Sequence, residues 1–322
     1  MINETRTTYK PFKYPWAFEM YNKHEKIHWH PEEASLYEDV KDWNSKLTEH
    51  EKGLLTNLFR FFTQGDLDIA GAYHNTFIPL FPAPEVRMML SSFAARESVH
   101  IHAYSLLIDT VGMPDSEYGA FMSYEAMRKK HEYLSNVTYE GLDMVSRTLL
   151  QLAIFSAFGE GLQLFSSFAI LLNFQRFNKM KGMGEIVEWS IKDETLHVEG
   201  MIKLFQALLQ QNKHVWTDDF KALIYQACRD MVDLEDKFID LCFEGEGVEG
   251  LNPDEVKEYI RYIADRRLLQ LSLKPNFNIK NHPLPWLIER LNAVNHSNFF
   301  ETKVTDYSKA ALLGEWDDVF KA

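Results

Sequence analysis

An all-α fold is predicted for this chain of 322 residues by three features. Apolar residues recur at helical spacing through long segments, and no segment alternates as a strand does. Proline and glycine fall mainly between the periodic stretches, where they end helices. The composition, 46% hydrophobic with 23 Phe, suits a thick helical core. No solenoid period is present. One helical domain with a mobile C-terminus is the expected organisation.

Taken in order, residues 1–31 hold Pro11, Pro15 and many aromatics without a steady period, and read as an extended arm. Pro31, followed by Glu32, Glu33 and Ala34, marks a helix start. Thr48 and Glu51 have capping-box spacing and open an apolar-periodic run through Phe62. A further helix carries Asp66 and ends near Pro79, Pro82 and Pro84. From Glu85 a long helix runs to about Val111, stopped by Gly112 and Pro114, and another covers about 116–134. An apolar helix spans about 139–175, and Lys181-Gly182-Met183-Gly184 breaks the chain before a helix that runs to about 211. Helices over about 215–244 and 253–271 follow, then a short one after Pro283 and Pro285. The division is an arm (1–31), a helical domain (32–297) and a flexible acidic tail (298–322).

The net charge of −13, with no Lys/Arg run, argues against nucleic-acid binding. Cys228 and Cys242 stand 14 residues apart on one helical pattern. That separates them by about 21 Å, too far to bridge, and predicts reduced core thiols in a cytoplasmic protein. The first residues lack the apolar core of a signal peptide. Leu149–Leu172 is apolar enough to raise a membrane span, but it carries Gln151, Glu160 and Gln163. A carboxylate near the bilayer centre is costly, so a buried core helix and no membrane are expected.

Two short stretches carry the chemistry: Glu97-Ser98-Val99-His100 and Glu194-Thr195-Leu196-His197. Residues three apart share a helix face, so each Glu and His aim at one point. Asp66 precedes Glu97 by 31 residues and Glu160 precedes Glu194 by 34. One lone carboxylate from each of two helices plus Glu-x-x-His from two more is the dinuclear-metal arrangement of ferritin-like bundles. Asp66, Glu97, His100, Glu160, Glu194 and His197 are therefore the predicted ligands, with Asp68 a rival to Asp66. A third Glu-x-x-His, Glu25 to His28, lies in the arm without an upstream carboxylate on an apolar helix, and reads as a decoy. Four carboxylates and two imidazoles suit two iron or manganese ions. Tyr104, four residues after His100, shares the ligand face as a one-electron donor. Asp193 can accept the outer N–H of a ligand imidazole.

These residues resemble the small, radical-generating subunit of class I ribonucleotide reductase. The likeness runs from about Trp29 to the C-terminus and is most specific in Trp29-His30-Pro31-Glu32-Glu33, Glu97 to His100 with Tyr104, and Asp193 to His197. It implies a ferritin-like helical homodimer in which Asp66, Glu97 and His100 hold one ion and Glu160, Glu194 and His197 the other, with Glu97 bridging. It implies that an oxygen species activates the centre, and a radical path through His100, Asp193 and Trp29. Tyr307 would relay the radical onward, with Glu301 near it. The segment Leu312 to Phe320 resembles the tail that docks on the large catalytic subunit, which would make deoxyribonucleotides from ribonucleotides. A flavoprotein activator is a further partner the resemblance allows. Leu164 and Phe168 keep an apolar wall near Tyr104, whereas Ser190 adds a hydroxyl that discourages a long-lived tyrosyl radical. The 63 residues from Glu97 to Glu160 resemble the compact bacterial members and favour two manganese over two iron ions. The competing readings are a stand-alone ferritin-like dinuclear-metal oxidase, an iron-storage shell and a metal-free scaffold.

Overall fold

The computed structural model describes residues 2–135 and 140–291. Helices α1 (Pro15–Glu25), α2 (Leu36–Ser45), α3 (Glu49–Ala72), α4 (Ile78–Leu80), α5 (Pro84–Thr110) and α6 (Ser116–Ala120) come first. They are followed by α7 (Glu125–Ser135), α8 (Met144–Leu152), α9 (Leu164–Arg176), α10 (Lys181–Gln211), α11 (Asp218–Phe243) and α12 (Pro253–Gln270). Among the described residues there is no strand, only an isolated bridge between Val248 and Leu251.

The frame of the site is two helix pairs. α3 packs on α5, α10 packs on α9 and on the segment preceding it, and α5 meets α10 between the pairs. α1 covers α5, α2 covers α10, and α11 and α12 back the segment before α9. Gly200 allows the close α5–α10 approach, since a Cβ there would lie 2.8 Å from the Phe93 ring. The chain divides into Met1–Pro283, which holds this whole arrangement, and Leu284–Ala322, of which a helical stretch at 285–291 is described.

Local chemistry sets most boundaries. Thr48 and Glu51 form a reciprocal capping box at the start of α3, Asn252 and Glu255 do the same for α12, and Asp143 caps α8. Pro84 begins α5, where a missing N–H costs nothing. The arm carries α1, whose Ala17, Met20 and His24 are buried at helical spacing, so only its flanks are extended. The run opened at Thr48 does not stop at Phe62 but continues through Asp66 as one helix. It then widens to a π turn over Tyr73–Phe77. The stretch predicted as one helix over 116–134 is instead broken by a 3₁₀ turn at Phe121–Ser123. The apolar segment is a core element: an 18-residue apolar window within Met144–Arg176 is 94% buried. Its middle, Ala153–Gln163, is π-helical, a widening that spacing alone does not reveal. Cys228 and Cys242 are buried and free.

Lys181-Gly182-Met183-Gly184, predicted as a break, is instead the first turn of α10. The glycines serve close approach: a Cβ on Gly182 would lie 2.8 Å from the Ser35 carbonyl oxygen. The cap comes from another helix. The Asp39 carboxylate accepts from the Gly182 and Met183 N–H groups (3.0 and 2.6 Å), and Asp42 accepts from Met180 N–H (2.9 Å). Asp39→Ala strands two buried donors, so it is expected to cost about 2–4 kcal/mol in chemical denaturation. A loss under about 0.5 kcal/mol would show that water replaces the carboxylate.

Candidate metal centre

Each helix pair supplies half of a cluster. Asp66 projects from α3 and Glu97 and His100 from α5; Glu160 comes from the π segment, and Glu194 and His197 from α10. All six are buried: Glu97, Glu160, Glu194 and His197 are 0% exposed, and His100 and Asp66 are 1% and 2% exposed. Donor atoms of Glu97, Glu160, Glu194 and His197 lie within 4.8 Å of one another, and so do those of Asp66, Glu97 and His100. Glu97 belongs to both groups. Its Oε1 lies 3.0 Å from His197 Nδ1, and its Oε2 lies 3.5 Å from His100 Nδ1. Glu194 likewise reaches both imidazoles, at 3.2 Å from His100 Nδ1 and 3.5 Å from His197 Nδ1.

Glu160 lies within the π widening and is buried there. Gly159 and Gly161 flank it, and the Arg267 guanidinium donates to the Gly161 carbonyl (2.8 Å) that the irregular ladder exposes. A Cβ on Gly161 would sit 2.7 Å from that Arg267 nitrogen. The Tyr73 hydroxyl, from the other π turn, donates to Glu160 Oε1 (2.7 Å). Tyr73 follows Asp66 by seven residues on the same face, a spacing through which it was findable.

An anion-rich interior without bulk water is unstable on its own. The Glu97 and Glu194 oxygens, one oxygen each of Asp66 and Glu160, and His197 Nδ1 are buried without a hydrogen-bond partner. Such atoms are expensive unless a cation meets them. Electrostatics point the same way. Burial pushes Asp66 well above the carboxylate range and Glu160 up to about 7. Burial acts to lower both His100 and His197, yet the surrounding carboxylates, Glu97 foremost for His100 and Glu194 for His197, hold them well above the usual imidazole range. Burial also works against ionised Glu194, but the two imidazoles outweigh it and bring its pKa to about 2. Protons and cations thus compete for the same groups. The donor set, oxygen-rich with two imidazoles, fits a pair of hard-to-borderline divalent ions.

The outer nitrogens of the two histidines meet different partners. His100 Nε2 lies 3.2 Å from Asp193 Oδ2, and the same oxygen accepts from Trp29 Nε1–H (2.8 Å). Trp29 also stacks on His100 with ring centroids 5.9 Å apart, and it touches Trp189 at 5.2 Å. Arg96 approaches Asp193 Oδ2 at 3.7 Å and donates to the Ile27 carbonyl. Burial opposes the charge on Asp193, but His100 and Arg96 hold its pKa below the ordinary value. His197 Nε2 instead meets His24 Nε2, at 3.1 Å. Burial, with His197 adding to it, drives the His24 pKa down to about 3, so His24 is neutral. His24 lies on the buried stripe of α1, the signal by which it could have been found.

Tyr104 is buried, its ring stacked on Phe62 (centroids 4.3 Å, planes 13° apart), with Phe168 beyond at 5.9 Å from Phe62. Phe62, which packs on the Tyr104 ring, was not singled out from the sequence as part of the wall. The Tyr104 hydroxyl donates to Ser190 Oγ at 3.4 Å. Burial pushes the phenol above its usual pKa. Asp68, the rival, turns away to His131 (2.6 Å). The decoy also stays apart: His28 faces His30, and Glu25 accepts from Ser92. Tyr307, Glu301 and Leu312 to Phe320 lie outside the described residues.

Comparison with known proteins gives a consistent result. A family model described as ribonucleotide reductase, small chain, matches residues 6–283. The chain is 45% identical to a probable ribonucleoside-diphosphate reductase small subunit of Invertebrate iridescent virus 3, over 97% of this chain and 86% of that protein. It is 30% identical to the ribonucleoside-diphosphate reductase subunit beta of Chlamydia pneumoniae, over 94% and 90% of the two chains. Among solved structures, the ribonucleotide reductase R2 subunit from Clostridium botulinum is similar with a TM-score of 0.80 at 24% identity. The match covers 89% of this chain and 91% of that one. The shared fold is the ferritin-like helical bundle.

Proposed function

Because the chain belongs to the ribonucleotide reductase small-chain family and is thereby an oxidoreductase subunit, we propose that its buried cluster holds two metal ions and generates the radical used by a large catalytic subunit. The observation that carries this reading is the set of inward-facing oxygens and the His197 nitrogen left without partners in a dry interior. Asp66, Glu97 and His100 would hold one ion, Glu160, Glu194 and His197 the other, and Glu97 would be shared. Two manganese ions are favoured over two iron ions, on the compact Glu97–Glu160 interval. When bound, the pair supplies the oxidising equivalent, after activation by an oxygen species. The working form is a cytoplasmic homodimer that docks the large subunit through residues 298–322, with Tyr307 relaying the radical.

The chain's own residues do the rest. Tyr104 sits where an electron can leave a phenol, but its raised pKa means the proton must leave with it. Among the described residues, the recorded hydrogen-bond partner for that proton is Ser190 Oγ, whose own hydroxyl donates to the Ile186 carbonyl (3.0 Å). The contact at 3.4 Å is long, so the proton transfer is poorly prepared, which favours short-lived over stored tyrosyl oxidation. Trp29 is better prepared. Its Nε1–H points at an ionised carboxylate, so oxidation of the indole can pass the proton to Asp193 Oδ2 over 2.8 Å. Arg96 and His100 keep Asp193 charged and ready to accept.

The reading is tested by loading metal-free protein with manganese(II) or iron(II), counting ions per chain, and assaying deoxyribonucleotide formation with the large subunit. Two ions per chain and an oxygen-dependent paramagnetic signal are the expected results. Fewer than one ion per chain would overturn it. Metal uptake should also climb with pH. The imidazoles lie above their usual range, so their protons, and those on Asp66 and Glu160, must leave as ions bind. Lower pH keeps these protons in place. Apparent affinity is therefore expected to rise by about tenfold or more per pH unit between roughly pH 6 and 8. A flat competition titration across that window would contradict the assigned protonation states.

A further inference from the structure

His100 rests directly on a carboxylate, whereas His197 rests on a second imidazole ring. That ring is the start of a continuous chain. His24 Nδ1 lies 2.5 Å from Ser92 Oγ, and the Ser92 hydroxyl donates to Glu25 Oε1 at 2.7 Å. Glu25 is exposed, while Ser92 and His24 are buried. The contacts therefore run from solvent to the cluster: Glu25, Ser92, His24, His197.

The direction of this chain is fixed at its outer end. The Ser92 hydroxyl donates to the Glu25 carboxylate, so its single proton is committed there. The Ser92 oxygen must then accept from His24 Nδ1–H. Two ring nitrogens in contact need one donor and one acceptor, and with its Nδ1–H given to Ser92, His24 Nε2 takes the accepting role. Across 3.1 Å it faces His197 Nε2, which must be the donor. Among the described residues no other recorded hydrogen bond competes for His24 Nε2, and Asp193 Oδ1 is 3.8 Å away. Phe93 packs edge-on against the His24 ring at 5.0 Å and holds it in place. With Nε2 committed to His24, His197 Nδ1, which faces Glu97, Glu160 and Glu194 at 3.0, 3.7 and 3.5 Å, is the nitrogen that would give up its proton to hold an ion.

We propose that Glu25, Ser92 and His24 form a one-way hydrogen-bond relay that fixes the tautomer of His197, making them positioning residues for the second half of the cluster. The inference rests on the metal reading given above but adds residues that reading does not use. It also gives Glu25 of the arm's Glu-x-x-His a structural purpose without making it a ligand. The two halves thus differ in how the imidazole is set: His100 by direct contact with Asp193, His197 through two intermediaries to a surface carboxylate.

The test is stepwise manganese(II) titration of the metal-free full chain, comparing wild type with Glu25→Gln, Ser92→Ala and His24→Gln. Pulsed electron paramagnetic resonance reads the remote ring nitrogen of each bound imidazole. Outer hydrogen-bond partners of metal-ligating histidines are typically worth about 10–100-fold in affinity. We expect Ser92→Ala to weaken one of the two binding steps by about tenfold and to shift one remote-nitrogen quadrupole signal, leaving the other step and signal unchanged. Glu25→Asp should restore part of the loss seen in Glu25→Gln. Because Glu25 is at the surface, its variants test the relay even where His24→Gln does not fold. Wild-type affinity and unshifted nitrogen signals in Ser92→Ala and Glu25→Gln would overturn the relay alone. A wild-type chain that takes up no manganese(II) would overturn the metal reading and the relay with it.

Discussion

Glu97→Gln is expected to empty both halves of the cluster, not one. Glu97 is the residue common to the two ligand groups, with one oxygen toward each imidazole. An amide keeps the shape but offers one neutral oxygen in place of two charged ones, so neither group retains its charge balance. Metal content should fall from two ions per chain to below a tenth, and reductase activity below detection. The metal-free protein should respond in the opposite sense. Four carboxylates crowd two imidazoles in a dry interior, and Glu97 has no hydrogen-bond partner for either oxygen. Removing that charge still leaves Asp193 and Glu194 near His100, and Glu160 and Glu194 near His197. The variant's apo form should therefore be more stable than wild type by about 1–3 kcal/mol, the usual trade of stability for function at such sites. Added manganese(II) should raise the melting temperature of wild type and leave the variant unmoved. A variant that is less stable when metal-free would mean that Glu97 is held by a structural ion pair, and that cation binding is not its purpose.

The same cluster shows what a linear sequence can disclose. Glu97 with His100, and Glu194 with His197, are visible because helical spacing is a local property, and each pair lies on one continuous helix. Asp66 and Glu160 were reachable because a carboxylate inside an apolar run demands an explanation. The partners of the outer nitrogens were only half visible. Asp193 adjoins Glu194 in sequence, but His24 comes from α1, 173 residues before His197. Its helix was hidden by the prolines and aromatics around it. Gly182 and Gly184 misled for a related reason. Glycine reads as a breaker when its neighbours in space are unknown, yet here it lets α10 start against Ser35 and Gln175, with Asp39 supplying the cap from a different helix. The π turns at Tyr73–Phe77 and Ala153–Gln163 leave no periodic trace, because one extra residue per turn is absorbed by packing.

Trp29→Phe is expected to separate the making of the oxidant from its export. Phenylalanine can keep the ring stacked between His100 and Trp189, but it has no Nε1–H to give to Asp193. No ligand group is altered, and Asp193 retains His100 at 3.2 Å and Arg96 at 3.7 Å. Metal uptake and the oxidation of Tyr104 should therefore match wild type. Turnover with the large subunit should fall by about a thousandfold, equivalent to about 4 kcal/mol of barrier. Two features make the loss large. Indole is far more easily oxidised than a benzyl ring, and only the indole can hand its proton to a poised carboxylate as the electron leaves. Trp189 cannot stand in, because it touches Trp29 while the hydrogen bond to Asp193 belongs to Trp29. The informative comparison is a single-turnover experiment in which metal content, the paramagnetic signal and product are followed together. If Trp29→Phe lowers the signal and the product in parallel, the indole supports assembly of the centre. If product alone disappears, the Trp29–Asp193 pair is the way out of it.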